Sequence, residues 1–295
     1  MLRQVTIKLH EHPGIMLGTD SPEPDVPFDG FGELLGLGEE KRESSERETD
    51  VEILPAGSLP AEAGYFHRGR ITRSAVCPSG YGFRICCNRK ASKNPHLQMH
   101  CLWQTSLTLA VMNAILRGVD AVLTHCALLE TEHGAVMVLG ESGMGKSTAS
   151  ARWRACGGKC VSDDMALLDF SGGDPIYVRR MPTWSACREG KNEWNYPASE
   201  EIPVAGVLAL GRSESGRDEI VELNMAQFFA QCYRSMFYWN LNYAKGLPEE
   251  MQAKLTERIR HFTEIIAKRF PPRALMTVLE GDLLRRIVED YLQTR

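Results

Sequence analysis

Apolar positions cluster in two ways along this chain, and each predicts a different kind of element. Residues 121–129 and 135–139 are short, nearly unbroken apolar runs on either side of the polar turn Glu130-Thr-Glu-His-Gly134. Runs of that length suit buried strands, and the turn between them predicts a hairpin. Further strands are predicted over 165–170, 176–180, 204–210, 220–223 and 274–279. Helices are predicted where longer segments carry recognisable ends. One covers 99–117 and stops at Gly118, and another covers 148–156 and is closed by Gly157-Gly158. Asn224 with Gln227 opens a third in the manner of a capping box. Pro248, Glu249 and Glu250 open a fourth that runs to Arg269 and is stopped by Pro271-Pro272, and a last helix covers 282–292.

The first hundred residues read differently. Residues 5–9 alternate as a short strand, and strand-like pieces recur from 51 to about 90, with clean alternation over 81–86. Between them, residues 18–50 are rich in acidic residues, Gly, Pro and Ser, and predict a solvated loop or linker. An acidic docking strip is the other reading of that stretch. The expected organisation is therefore a small, mainly β region over 1–98 with a flexible acidic stretch at 18–50, followed by an α/β domain over 99–295. The most apolar long window, 102–116, carries Gln104, Thr105, Ser106, Thr108 and Asn113. It is too short and too polar to span a bilayer. It predicts a buried helix packed near the second domain.

The chemistry concentrates just after the predicted strand 135–139. Gly140-Glu141-Ser142-Gly143-Met144-Gly145-Lys146-Ser147 fits the phosphate-loop pattern G-x-x-x-x-G-K-[ST], and Thr148 continues into the predicted helix. Strand, glycine-rich turn and helix in that order are what the pattern requires. Glycines let backbone N–H groups close around phosphate oxygens, and the helix N-terminus adds partial positive charge. Lys146 then reaches the terminal phosphates, and the Ser147 hydroxyl ligates Mg²⁺. Fifteen residues beyond Ser147 comes Ser162-Asp163-Asp164 before an apolar run. Two adjacent carboxylates can share the work of a nucleotide site, one holding Mg²⁺ and one taking the proton of an attacking hydroxyl. The bland alternative is a solvated turn.

The stretch from Thr124 to Asp164 resembles the core of HPr kinase/phosphorylase. That family carries a His-containing hairpin, then Gly-x-Ser-Gly-x-Gly-Lys-Ser, then paired aspartates. Here His125 lies fifteen residues before Gly140, and Asp163 and Asp164 lie twenty-three and twenty-four after it. A looser similarity continues through 202–210. The resemblance implies a P-loop, HPr-kinase-like (PEP-carboxykinase-like) mixed sheet with packed helices. It implies ATP and Mg²⁺ at 140–148, Asp164 as the general base, Asp163 close to the metal, and His125 beside Asp164. It also places a metal-ligating Glu at Glu189. There the family reads Glu-x-Arg-Gly and this chain reads Cys187-Arg-Glu-Gly-Lys191. Thr148 stands where the bacterial enzyme usually has Glu, and no copy of the HPr-docking segment is present. The chain looks more like divergent members found in lasso-peptide or SynChlorMet gene cassettes.

Composition narrows the partners. Of 295 residues, 43% are hydrophobic, enough for a substantial core, and the net charge is −4. No basic tract of five or more appears, which argues against nucleic acid. Nine cysteines, an odd number, follow an N-terminus without an apolar signal segment, so reduced thiols in a cytoplasmic protein are expected. Cys77, Cys86, Cys87, His96, His100 and Cys101 invite a zinc reading, but no C-x-x-C spacing occurs, so packing thiols are expected. The aromatics at 233–239 fit core packing. Residues 182–196, with Arg188 and Lys191, have the composition of a substrate-lining loop. The expected activity is phosphotransfer from ATP to a hydroxyl of a peptide, protein or small molecule. A nucleotide-gated binding subunit and a nucleotide hydrolase are the alternatives. No membrane partner is expected, and assembly of identical subunits is left open.

Overall fold

The computed structural model describes residues 2–9, 14–19, 35, 37, 39–42, 49–55, 57–59, 65–68, 72–76, 82–87, 95–181 and 200–294. These residues are mixed α/β and fall into two compact units. The first unit takes in the described residues up to 121 together with 240–255. The second takes in 122–181, 200–239 and 256–294.

In the first unit, β1 (Leu2–Ile7), β2 (Ile15–Thr19), β3 (Glu39–Arg42), β4 (Val51–Ile53), β5 (Tyr65–Arg68), β6 (Thr72–Val76) and β7 (Phe83–Cys87) form one sheet in the order β3-β1-β2-β4-β7-β6-β5. The β2–β4 and β4–β7 pairs are parallel and the others antiparallel. Helix α1 (Pro95–Leu116) packs on β2, β4, β6 and β7. The apolar window at 102–116 thus covers the N-terminal sheet, where the sequence pattern had suggested the second domain. Its hydrophobicity predicted burial but carried no information about which sheet it would cover. This helix belongs to the first unit, whose N-terminal part runs to 121.

The acidic stretch also departs from expectation. Residues 39–42 pair with β1 as a strand, and Asp50 is fully buried. One Asp50 carboxylate oxygen accepts from Asn113 Nδ2 at 2.6 Å and Arg117 Nε at 2.9 Å, and the other accepts from the Met16 N–H and Arg117 Nη2, each at 2.8 Å. Its main chain bonds Met16 O and the Phe83 N–H. A single residue thereby joins β2, β4, β7 and the end of α1. Burial pushes its pKa up, and the Arg117 charge and the hydrogen bonds work against that. A buried carboxylate survives only where its lone pairs are all taken in this way. The short α4 (Leu241–Ala244; α2 and α3 are described below) joins the same unit, with the Tyr243 hydroxyl 3.1 Å from Thr105 Oγ1 of α1.

The second unit is built on β8 (Ala121–Thr124), β9 (Cys126–Thr131), β10 (Gly134–Leu139), β11 (Lys159–Ser162), β12 (Ala166–Asp169), β13 (Tyr177–Arg180), β14 (Ile202–Arg212), β15 (Glu219–Glu222) and β16 (Arg273–Thr277). The order is β11-β9-β10-β14-β13-β12-β8, with β16 pairing both β14 and β15. β10 lies parallel to β14, and β14 to β16. The predicted strand 121–129 is split at His125, because the chain there leaves one end of the strand order and enters β9 near the other. The β9–β10 hairpin forms as expected.

Helices α2 (Lys146–Ala155), α3 (Met225–Phe237), α5 (Glu249–Arg269) and α6 (Leu284–Gln293) complete this unit, α5 entering it at Thr256. One sheet face, with Ala127, Leu129, Val136, Val138, Leu208 and Leu210, packs on Ala149 and Trp153 of α2 and on Leu284, Val288 and Leu292 of α6. The alternate residues Leu128, Met137 and Val207 are also fully buried. Burial of both faces explains why these strands read as continuous apolar runs. The helix ends follow their sequence signals. Asn224 caps α3 by accepting from the Ala226 N–H at 2.8 Å. Glu249 and Glu250 open α5, and Lys268 and Arg269 close it, each complementing the helix dipole.

Two contacts fix α2. Gly157 takes a left-handed φ of 75°, and the Gly158 N–H bonds Trp153 O at 3.0 Å. A Cβ on Gly158 would lie 2.3 Å from Trp153 Nε1, and that indole is fully buried. Arg152 forks onto Asp218, with Nη1 2.8 Å from Oδ1, and also donates to Val278 O and Gly281 O. Burial works to raise the Asp218 pKa, but the Arg152 and Val278 hydrogen bonds and the Arg152 charge hold it below the ordinary carboxylate value.

These contacts generate two expectations. Gly158→Ala must displace a rigid buried ring, so it lowers stability by about 1–3 kcal/mol, read as a fall in urea midpoint at unchanged slope. Asp218 has a depressed folded pKa. Its contribution is therefore present above the ordinary carboxylate pKa of 3.8 and disappears as pH falls through the folded value. In Asp218→Asn the stability difference from the parent should be largest near neutral pH and shrink below pH ~4. A difference that does not change with pH across that range would contradict this.

Candidate functional site

β10 delivers the glycine-rich loop, and its exit is fixed by packing. At Gly140 a Cβ would meet Leu210 Cβ at 3.3 Å and Met144 Cβ at 3.4 Å. Gly143 and Gly145 have φ of 84° and 102°, with nothing within 4 Å of a Cβ at either. Glycine is required there by backbone conformation, not by space. Gly145 is the N-cap of α2 and supplies no side-chain cap, so the first amides of α2 lack that partner. Glu141, Ser142, Gly143, Met144, Ser147 and Thr148 are exposed around this turn. A left-handed glycine pair, an uncapped helix start and exposed hydroxyls are the chemistry a phosphate and its metal ion require.

Lys146 differs from the sequence expectation. It was expected to extend outward, yet it is 6% exposed. Its Nζ donates to Gly140 O at 2.7 Å and Glu141 O at 3.0 Å, folding the side chain back across its own loop. Burial pushes its pKa down, and the Asp164 carboxylate pulls it up. Burial drives the Cys126 thiol far above its ordinary value, against the pull of Lys146. It packs as a neutral thiol.

Asp163 and Asp164 lie in the turn between β11 and β12, both half-buried. Ser162 pins the turn by donating from Oγ to Met165 O at 2.7 Å. Asp164 Oδ1 is 3.2 Å from His125 Nε2. His125 is the single residue between β8 and β9, 4% exposed, and its N–H bonds Ser235 O of α3 at 2.9 Å. The structure thus sets Asp164 against His125, and the Asp164 charge acts on Lys146, although the three come from separate stretches of chain. Among the described residues no three His, Cys, Asp or Glu side chains form a metal cluster. Glu189, Arg188 and Lys191 lie outside the described residues.

Two residues at this site were not singled out by sequence. Arg234 on α3 reaches the loop and contacts Glu141, Nη1 to Oε1, at 2.8 Å. The pair is exposed, so its direct contribution to stability is small. Tyr238, expected in the core, is 41% exposed. Its ring stacks on His125 with centroids 4.1 Å apart and planes 20° apart. Trp239 meets the same imidazole edge-on at 5.9 Å. Burial and the Asp164 carboxylate raise the Tyr238 pKa. Arg234 and Tyr238 are four residues apart, which puts them on one helix face. Sequence spacing marks that face but does not say what lies opposite it.

The model of the SynChlorMet cassette protein ScmC family matches residues 85–292. That span is most of the chain and includes every site residue described above. The chain belongs to this family. No curated protein matches it. The cassette context expected from the sequence is thus supported. Residues 1–84, with most of the N-terminal sheet, lie outside the matched span of ScmC. No helix among the described residues is long and apolar enough to cross a membrane.

The loop geometry yields a direct test. Gly145→Ala meets no atoms but must hold a left-handed φ, so it destabilises by about 1 kcal/mol. Gly145→Asn should lose less, because Asn tolerates that region better. Equal thermal shifts for the two variants would show that conformation is not what demands glycine.

Proposed function

We propose that this ScmC-family chain is an HPr-kinase-like P-loop phosphotransferase that moves the γ-phosphoryl group of ATP to a hydroxyl. The observation that carries the reading is the contact of Asp164 with His125, in a site whose aspartate charge acts on Lys146 of the glycine loop. A module that only binds nucleotide has no use for a carboxylate set against an imidazole at that place.

In this reading the loop amides of 140–148 bind the phosphates. Lys146 exchanges its bonds to Gly140 O and Glu141 O for phosphate oxygens, a substitution of one set of acceptors by a more charged one. Ser147 and Asp163 are the residues that would hold Mg²⁺, with Glu189 at the further ligand position that the HPr kinase resemblance implies. When bound, Mg²⁺ supplies charge neutralisation at the phosphate oxygens. Asp164 accepts the proton of the acceptor hydroxyl as that oxygen bonds to phosphorus and the bond to ADP breaks. His125 orients Asp164. Most of the catalysis is positioning and charge stabilisation. The acceptor is a peptide, protein or small-molecule alcohol of the cassette.

The test pairs single-turnover transfer from MgATP, onto candidate cassette acceptors, with calorimetry of nucleotide binding. Lys146→Ala should weaken MgATP binding or abolish transfer. Asp164→Asn should keep nucleotide affinity within about tenfold and lose ~10²–10⁴-fold in rate, the usual contribution of a general base. Asp163→Asn should weaken the Mg²⁺-dependent part of binding, and His125→Ala should lie between the two. Transfer at the parental rate by Asp164→Asn would sink the mechanism and favour a nucleotide-gated binding subunit.

A further inference from the structure

The end of α3 grips His125 from three directions. Ser235 O accepts the His125 N–H. Trp239 stands edge-on to the imidazole, and Tyr238 lies flat against it. Tyr238 and Trp239 are themselves perpendicular, with centroids 5.2 Å apart. The main-chain bond fixes where the residue sits, but it leaves the side-chain torsions free. The two rings restrain those torsions. The imidazole nitrogen released by this packing faces Asp164 at 3.2 Å. A rotation of the imidazole away from its stack would carry Nε2 off the carboxylate.

Tyr238 is a costly residue for mere filling. It is 41% exposed, so much of its apolar surface stays in water while one face covers a nearly buried His125. A side chain placed for core packing would bury both faces. Its neighbours Tyr233 and Phe237 do stack on each other, with centroids 5.6 Å apart. Tyr238 has turned from that pair and lies on the histidine instead.

We propose that Tyr238 is a positioning residue: its ring holds the His125 imidazole in the plane that keeps Nε2 on Asp164. The stack requires a flat ring and not a hydroxyl. The kinetic consequence rests on the phosphotransfer reading, whereas the geometric consequence does not.

The experiment uses the full chain with Tyr238→Phe and Tyr238→Leu, each alone and combined with Asp164→Asn. The first readout is the ¹⁵N shift of the His125 side chain and how far Asp164→Asn moves it. The second is kcat and KM for MgATP hydrolysis, which needs no identified acceptor. Tyr238→Phe should match the parent in both. Tyr238→Leu should abolish the response of His125 to Asp164→Asn. It should also lower kcat about tenfold with KM within about threefold, the signature of an interaction lost in the transition state and not in binding. The exposure of Tyr238 lets both variants fold, which a melting curve checks. If Tyr238→Leu preserves the coupling between His125 and Asp164, or if Tyr238→Phe loses it, the proposal fails. A parent that shows the coupling but no hydrolysis supports the positioning role, and the phosphotransfer reading is then decided by transfer to a cassette acceptor.

Discussion

Strand β10 is buried on both faces, and the second unit depends on that constraint. Val136 and Val138 face α2 and α6, and Met137 lies on the opposite face, also fully buried. No polar side chain is tolerated along it, and its backbone is paired on both sides by β9 and β14. A strand held this way has one place to end. Gly140 follows it against Leu210 and Met144, and the loop that comes next is delivered at a fixed height above the sheet. Helix α2 is anchored at its far end by Trp153 against Gly158 and by Arg152 on Asp218. The loop is therefore fixed at both of its ends, and its own two left-handed glycines need no packing partner.

Electrostatics then decide which groups can share the space around it. Lys146 is desolvated, and a buried ammonium needs acceptors. Two loop carbonyls supply them, and the Asp164 carboxylate stabilises the charge from further away. The same carboxylate meets His125, whose backbone is held by α3. One aspartate thus acts on the Lys146 charge and contacts an imidazole. The outer edge of the arrangement is the α3 face bearing Arg234 and Tyr238, of which Arg234 reaches Glu141 and Tyr238 covers His125.

The first unit uses the opposite device. Its centre is a fully enclosed carboxylate, Asp50, with its oxygens taken by a main-chain amide, an amide side chain and the Arg117 fork. Such a network stabilises only when every member is present. It fixes the register of strands that are far apart in sequence. The ScmC match begins at residue 85, inside β7. The family's matched span therefore includes α1 and all but the last few residues of the second unit, while the rest of this Asp50-centred sheet precedes it.

The sequence by itself determined the elements whose signals are local. The β9–β10 hairpin, the loop at 140–147, the Gly157-Gly158 stop, the Asn224 cap and the charged ends of α5 depend on φ preferences, capping and the helix dipole, which act within a few residues. It also pointed to His125 and Asp164 as partners, through resemblance to a family and not through periodicity. Tertiary structure decided the rest. Asp50 looked like one more acid in a solvated run, because burial is conferred by Met16, Asn113 and Arg117 from elsewhere in the chain. The window at 102–116 declared itself apolar, but hydrophobic attraction has no direction, so the sheet it covers could not be read. His125 breaks a run that looks like one strand, since its first half pairs with β12 and its second with β10 and β11, partners that local signals do not assign. Lys146 turned inward because the carbonyls it needed were those of its own loop. Tyr238 looked like a core aromatic until the fold set an imidazole against it.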